Sequence, residues 1–530
     1  MEFKQKILIT DEISQEAIRI LNEDFDVVIK KGIIASELKN EINKYNAVII
    51  KSSTKISSDV INNAVNLKVI GKAGTNVDNI DLKSATKKGI VVVHAPLSNI
   101  ISAAEFTIAL IFSLAKKIPS ANFATKSGLW NKNKFNGIEL EGKTLGILGF
   151  GKIGQMVAKK AVCLGINVIA FDPYVSEDRY WQSGIKKADT LEDLYKNADI
   201  ISVHLPKTKE TAGLLNKDEL YKMKKGTVLI NVSRSGIIVE KDLYEAIKEG
   251  HIGGAGIDVF ENEPCKDSKL FELENVICTP HLGSSTAEAQ EKADIIIASQ
   301  VKKVLKDEIA NFAVNLPIFS EEIFNSISPF IELCENLGSL FSQLFEEDLD
   351  EIEIAFNGRI ASFKTDFLVS VILTKILQKY TKERINLVNV NLFAEEKGLK
   401  IKEIKNLQSQ DYINLITLKG KGNNLDLSVS GTITGIKNMP RFIAIDKFEI
   451  DMVPSKYMAF IRYEDIPGQI GKIGTVFGKL GVNIAAMHVG RKVVSGEALM
   501  GLNLDCEVDN KMLEEFKKQS GFTKIKIINL

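Results

Sequence analysis

Cysteine is sparse and scattered in this 530-residue chain: five residues, Cys163, Cys265, Cys278, Cys334 and Cys506, with no two closely spaced. That spacing gives no short-range metal-ligand motif, so no metal is expected, and it favours a reducing compartment. Net charge is lacking too. Lys plus Arg and Asp plus Glu both number 68, which removes the overall electrostatic case for nucleic acid or an anionic membrane. A locally basic pocket for a small anion remains open. Long hydrophobic runs are also missing. The longest, IISAAEFTIALIFSLA from Ile100 to Ala115, falls short of a membrane span and carries Glu105, which predicts a buried helix. The opening MEFKQKILIT runs straight into strand-like sequence with no signal-type segment. The expectation is therefore a cytoplasmic protein with no membrane partner and no nucleic-acid partner. The chain is too long for one hydrophobic core and predicts three or four domains.

The segments KILIT, DVVIK, AVIIKSS, LKVIGKAG and IVVVHAP alternate with helical stretches and predict a parallel sheet with crossover helices. A long helix follows, then a loop with Trp130 and Phe135. Alternation resumes from 144 to 281 through TLGILGFG, NVIAFDP, ADIISVHLP, GTVLINVS, GAGIDVF and VICTPHL. Two Rossmann-like parallel-sheet α/β domains result. The helical stretch from Ser285 to about Lys306 is expected to return to the first of them. The final two hundred residues change character. DLSVSGTITG and RFIAIDKFEIDM alternate like antiparallel strands, so an α+β domain is expected there. The last segment reads strand, helix, strand, strand, helix, strand, a ferredoxin-like arrangement. The expected boundaries are 1–99 with 286–315, 100–285, 316–455 and 456–530.

Gly149, Gly151 and Gly154 in LGILGFGKIG follow a buried-strand pattern and open a helix. The first permits the tight turn, the second lets backbone approach a pyrophosphate, and the third lets helix pack on strand. The helix start, at Lys152 and Ile153, offers free amides to phosphate. Lys152 is either a pyrophosphate contact or a solvated surface charge. Asp172 ends the next strand, where a carboxylate accepts from a ribose 2′-hydroxyl and repels a 2′-phosphate. The expected cofactor is NAD in preference to NADP.

Three residues follow later strands: Arg234 after VLINVS, Glu263 after GIDVF and His281 after VICTP. Oxidation of a 2-hydroxy acid needs this trio. A guanidinium grips the carboxylate, an imidazole takes the hydroxyl proton, and a carboxylate orients the imidazole. The chain has only five histidines, and His281 stands between Pro280 and a Gly-Ser-Ser turn. His204, in ISVHLPKT, is expected to line the cofactor. Asp258 is expected near the nicotinamide carboxamide, with a loop-fixing role as the alternative.

With these motifs the chain resembles the D-isomer-specific 2-hydroxy-acid dehydrogenase family, in its long phosphoglycerate dehydrogenase form. The resemblance rests on KSSTKISSDVI, GKAGTNVDNID, SAAE, ELEGKTLGILGFGKIG, INVSRSGIIVE, GIDVFENEP, TPHLGSSTAEAQ and IRYEDIPGQIGKIGTVFGKLGVNIAAMHVGRK. It implies NAD-dependent oxidation of 3-phospho-D-glycerate with Arg234, Glu263 and His281 catalytic. It places the amides of Gly74 and Thr75 near the substrate carboxylate. It also implies an allosteric substrate-binding domain in the third segment, an ACT-type regulatory domain in the fourth, and a homo-oligomer, dimer or tetramer. Tyr463, Asp465 and Asn483 match serine-contacting positions in some relatives, so L-serine is the expected effector.

The chain departs from the family where Lys51 and Lys72 replace arginine, where Leu97 and Ser98 replace asparagine and glycine, and at His94 and Ser235. Lysine keeps the charge but loses the bidentate fork. Both lysines end strands in the first domain and are expected to bind the anionic substrate with Arg234, Gly74 and Thr75. Another D-2-hydroxy acid is the alternative substrate. A non-catalytic NAD-sensing regulator is the alternative class, and the presence of all three catalytic residues weighs against it.

Overall fold

The computed structural model describes residues 4–316, 321–381, 383–409, 411–423, 425–491, 493 and 496–530. Its first sheet has five parallel strands in the spatial order Asp26–Ile29, Lys6–Ile9, Ala47–Ile50, Val69–Lys72, Val91–Val93. Ala47–Ile50 and Val69–Lys72 are buried along their whole length, which is why they read as unbroken apolar runs. The second sheet has seven parallel strands: Val276–Cys278, Ile252–Ile257, Thr227–Asn231, Ile200–Val203, Thr144–Leu148, Asn167–Phe171 and Lys186–Lys187.

The chain crosses between these sheets twice. Helix Ile100–Ala115 buries Ala104, Leu110 and Ile111 in the core of the second sheet. Helix Ala287–Leu305 returns to the first, where Ile297, Ala298 and Val301 pack with Ile7, Ile49 and Val69. The crossings touch: the hydroxyls of Ser102 and Thr286 lie 2.7 Å apart. Strand Val91–Val93 leads within a few residues into one crossing and Val276–Cys278 into the other, so the carboxyl ends of both sheets abut the hinge.

One helix differs from the sequence expectation. Ile118–Lys126 occupies part of what reads as loop. Lys117 adopts a left-handed backbone (φ 53°) that breaks the preceding helix, and Pro119 starts the new one. Trp130, just beyond, is 89% exposed.

The third domain has a six-stranded sheet in the order Lys400–Asn406, Glu351–Gly358, Asn414–Lys421, Asp426–Thr434, Met439–Ile445, Phe448–Met452, with only the first pair parallel. Helices Ile331–Leu344 and Asp366–Leu377 share its core. The fourth has four antiparallel strands in the order Ile484–Arg491, Glu497–Leu504, Tyr457–Glu464, Ile525–Asn529, with helices Gln469–Lys479 and Asn510–Ser520 on one face. Strand alternation divides Tyr457–Glu464 between two cores. Ala459, Ile461 and Tyr463 face those helices, while Met458 and Phe460 join the core of the third domain. The third and fourth domains therefore pack as one body. The third domain also grips the first: Asn386 Nδ2 donates to the Gly89 carbonyl (2.6 Å) and Lys87 pairs with Glu396 (3.1 Å). No described helix is long and apolar enough to cross a membrane.

Candidate active site

In an open parallel sheet, side chains that act together gather beyond the carboxyl ends of the strands. The seven-stranded sheet places the glycine turn, Asp172 and His204 after three neighbouring strands, and Arg234, Glu263 and His281 after the next three.

The glycine turn is built as its spacing requires. Gly149 has φ 98°, and a Cβ there would lie 2.7 Å from the His204 carbonyl oxygen. A Cβ at Gly154 would strike the Gly149 carbonyl oxygen, so helix Lys152–Cys163 can pack only with hydrogen at that position. Gly151 differs, because a Cβ there meets nothing within 4 Å. It caps the helix without any side-chain hydrogen bond, and the next two residues, Lys152 and Ile153, are not buried, which leaves their first-turn amides to a ligand. A pyrophosphate fits this open cradle. Asp172 braces the turn: Phe150 N donates to its Oδ2 (2.9 Å) and Tyr174 N to its Oδ1 (3.0 Å). Each oxygen retains a lone pair for ribose hydroxyls. The His204 ring lies 2.8 Å from Ser202 Oγ, and desolvation pushes its pKa down to about 4, so it is neutral at physiological pH.

The three residues expected to be catalytic divide into a pair and a cation. His281 Nδ1 donates to Glu263 Oε2 at 2.8 Å, although eighteen residues separate them. Glu263 Oε1 accepts from Phe260 N at 3.1 Å, which fixes the carboxylate's orientation. His281 has a left-handed backbone (φ 56°), uncommon outside glycine although histidine adopts it more readily than most residues. Asp258, fully buried, holds that turn. Its carboxylate accepts from Thr279 Oγ1 (2.7 Å), Leu282 N (2.7 Å) and Gly283 N (2.8 Å), while its carbonyl accepts from His281 N (3.0 Å). Of the two roles expected for Asp258, these contacts are those of the loop-fixing one. Arg234 is half-buried and commits one donor, Nη1, to the Ser233 carbonyl (2.8 Å); among the described residues the rest of its fork has no partner.

The five-stranded sheet contributes a second set. Lys72, 1% exposed, is the last residue of its strand, and its Nζ donates to Ser52 Oγ at 2.9 Å. Among the described residues no carboxylate lies within ion-pair distance of it, and burial pushes its pKa down to about 8. Its Nζ lies 3.5 Å from where a Cβ of Gly74 would stand. The Thr75 carbonyl accepts from His94 Nδ1 at 2.9 Å, and burial lowers the pKa of that imidazole. Lys51 is placed differently from Lys72. Its ammonium pairs with Asp294 on the returning helix (3.2 Å), so its charge is already balanced within the domain. Sequence reasoning missed Ser52 and Asp294, since nothing in their local pattern points to either lysine.

The proposed effector residues do not form one cluster within the chain. Asp465 pairs with Arg491 (3.2 Å) at one end of the last sheet, beside Tyr463. Asn483 Nδ2 donates to Asp505 Oδ2 (2.6 Å) at the other end. The register, with Tyr457 and Ile484 both opposite Leu504, separates the two ends by the length of an eight-residue strand, on the order of 25 Å. The Tyr463 hydroxyl is buried and, among the described residues, has no hydrogen-bond partner. A cavity of about 1740 Å³ opens elsewhere, between the third sheet and strand Ile484–Arg491, lined by Arg359, Lys405, Tyr412, Glu449 and His488 among others.

Comparison with known proteins gives three family matches along the chain. The NAD-binding domain of the D-isomer specific 2-hydroxyacid dehydrogenases matches residues 108–283, the D-3-phosphoglycerate dehydrogenase intervening domain matches 326–446, and the ACT domain matches 457–521. The D-3-phosphoglycerate dehydrogenase of Methanocaldococcus jannaschii is 40% identical over 525 residues, 99% of this chain and 100% of its own. That of Synechocystis is 40% identical over 517 residues, 97% of this chain and 93% of its own. Among solved structures, D-lactate dehydrogenase from Aquifex aeolicus complexed with NAD and lactic acid has a TM-score of 0.51 at 30% identity, over 59% of this chain and 99% of its own.

Proposed function

The chain belongs to the D-isomer-specific 2-hydroxyacid dehydrogenases, in the long form of the D-3-phosphoglycerate dehydrogenases, and from that premise we infer how its own residues carry the reaction. It catalyses the NAD-dependent oxidation of 3-phosphoglycerate. The observation that carries the assignment of roles is the 2.8 Å bond from His281 to Glu263, in loops that follow two adjacent strands of the sheet that also carries the glycine cradle.

Bound NAD supplies the hydride acceptor. Arg234 holds the substrate carboxylate with its free guanidinium donors. Glu263 binds Nδ1–H of His281, which leaves the Nε2 lone pair for the hydroxyl proton. As that proton arrives, Glu263 stabilises the imidazolium. The amides of Gly151 to Gly154 hold the pyrophosphate, Asp172 the ribose, and His204 lines the pocket as a neutral ring. Asp258 reaches the carboxamide through its remaining lone pair while fixing the His281 turn. Thr75 offers its backbone amide to the substrate, whereas the amide expected of Gly74 is already donated to the Lys72 carbonyl (2.8 Å), and Lys72 stands by as the cation for the phosphate. Lys51 acts in the second rank, through its pair with Asp294.

A second copy of the chain completes the assembly. Ile118, Phe123, Leu129, Trp130 and Ile138 leave apolar side chains exposed along one segment, which supports burial against a partner subunit. The outer edge of strand Ile484–Arg491 is unpaired among the described residues. Antiparallel pairing of that edge with a second copy sets Asp465 of one beside Asn483 of the other. L-serine then has a carboxylate for its ammonium and an amide side chain for its carboxylate. The unpaired thiols support a cytoplasmic location.

The test is NADH formation by the purified protein. The expected result is turnover of 3-phosphoglycerate with NAD, at least tenfold slower turnover with NADP, and poor turnover of D-glycerate and D-lactate. A higher kcat/KM for an unphosphorylated acid would overturn the substrate assignment.

A further inference from the structure

The loop that carries Glu263 is held at its start by carboxylates, and further on Cys265 packs against the core. From Glu261 to Asp267, among the described residues, no main-chain to main-chain hydrogen bond ties it to the protein. Glu261, Asn262, Glu263 and Pro264 are all exposed. Two bonds fasten its start. One is the loop's own, from Phe260 N to Glu263 Oε1. The other comes from outside: Glu261 N donates to Glu240 Oε1 at 2.7 Å.

Glu240 is placed for that task. It is the first residue of helix Glu240–Lys248, which is anchored in the core by Leu243, Ala246 and Ile247. An acid in the first helical turn is favoured by the unpaired amides there. Glu240 is half-buried, and desolvation raises its pKa, so the carboxylate stands in a less polar setting than a surface acid. A hydrogen bond to an ionised acceptor is worth more than a neutral one, and more where water is excluded. The helix also follows directly on the segment that carries Arg234. One rigid element therefore connects the strand bearing the substrate cation with the loop bearing the carboxylate partner of the base.

We propose that Glu240 is a positioning residue for the reaction, acting through Glu263: its carboxylate fixes the 261–264 loop so that Glu263 stays within hydrogen-bond reach of His281 Nδ1. The inference rests on the roles given to Glu263 and His281 above. Loss of the tether lets a surface loop drift, and displacements of about 1 Å at a catalytic group cost up to about a hundredfold in rate.

The experiment is a double-mutant cycle with kcat, both KM values and NADH binding as readouts. Glu240→Ala is expected to lower kcat by about 10- to 100-fold, with KM for 3-phosphoglycerate and NADH affinity within about twofold of wild type. Glu240→Gln, whose amide oxygen can accept the same N–H, is expected to recover most of the rate. In a Glu263→Ala background, Glu240→Ala is expected to change kcat by no more than about twofold, because the group it positions is gone. An equal loss in both backgrounds would mean that Glu240 merely supports the fold, and would overturn the proposal. So would an undiminished kcat in Glu240→Ala. If Glu240→Ala does not fold, Glu240→Leu takes its place in the cycle, with Glu240→Gln again the variant that recovers the rate. Loss of the 2.8 Å contact's partner is separately read from Glu263→Ala alone, which, if fully active, would instead remove the role assigned to Glu263.

Discussion

At the scale of single residues, Lys72 is where this chain departs most consequentially from a guanidinium. It is buried beside Ser52, and burial holds its pKa near 8, more than two units below an exposed lysine. A lysine with a lowered pKa is charged below that value and loses its charge as pH rises through it. If Lys72 holds the substrate's phosphate as proposed, affinity should be full below about pH 8 and decline above it, with KM rising by up to about tenfold per pH unit. Lys72→Arg keeps the charge at every accessible pH, so its KM should stay level over the same range. Measuring KM for 3-phosphoglycerate from neutral to alkaline pH in both proteins decides the matter. Parallel curves would deny Lys72 the phosphate. The sequence marks Lys72 as the end of a strand and so as a candidate, and it marks Lys51 equally. It cannot separate them, because the difference comes from Asp294, more than two hundred residues away, which pairs with Lys51 alone. The same holds for Asp258. Its chemistry is visible in GIDVF, yet its three loop contacts depend on how the 279–283 turn folds back over it.

At the scale of elements, the strand-turn-helix unit around Gly149 was legible down to individual glycines, because each meets a different physical constraint. Gly154 faces the Gly149 carbonyl, while Gly151 faces open space. Two substitutions that look alike should therefore behave differently. Gly154→Ala pushes the helix off the strand and should lower both Tm and NADH affinity. Gly151→Ala leaves the protein's packing intact, so Tm should stay within about 2 °C of wild type while NADH affinity falls at least tenfold, since the methyl occupies the phosphate's space. Thermal melts with NADH fluorescence titrations check both; wild-type affinity in Gly151→Ala would remove the pyrophosphate from this cradle. Elements with weak local signals were less legible. Helix Ile118–Lys126 is short and begins only because Lys117 takes a left-handed turn, and Lys186–Lys187 is too brief to show alternation.

At the scale of the whole molecule, alternating apolar runs announced the two parallel sheets and the ferredoxin-like end, since periodicity reflects which faces are buried. They did not show that the third and fourth domains share a core, because Met458 and Phe460 look like ordinary inward residues of their own sheet. That shared core bears on regulation, for we propose that serine acts along a continuous line of contacts: the last domain packs on the third, the third holds Gly89 through Asn386, and the strand after Gly89 leads to His94 and the Thr75 carbonyl. L-serine should therefore bind and inhibit the intact protein, and Asp465→Ala should abolish both effects; calorimetric titration showing no binding at millimolar serine would end that proposal. The central claim, however, is that His281, held by Glu263, is the base of an NAD-dependent hydroxy-acid dehydrogenase. It is tested most directly by the rate of NADH formation from 3-phosphoglycerate in His281→Ala, with NADH binding followed on the same sample. The account predicts a rate lower by about 10²–10⁴-fold with NADH affinity unchanged; a rate within threefold of wild type, at roughly the same pH and full NADH affinity, would contradict it.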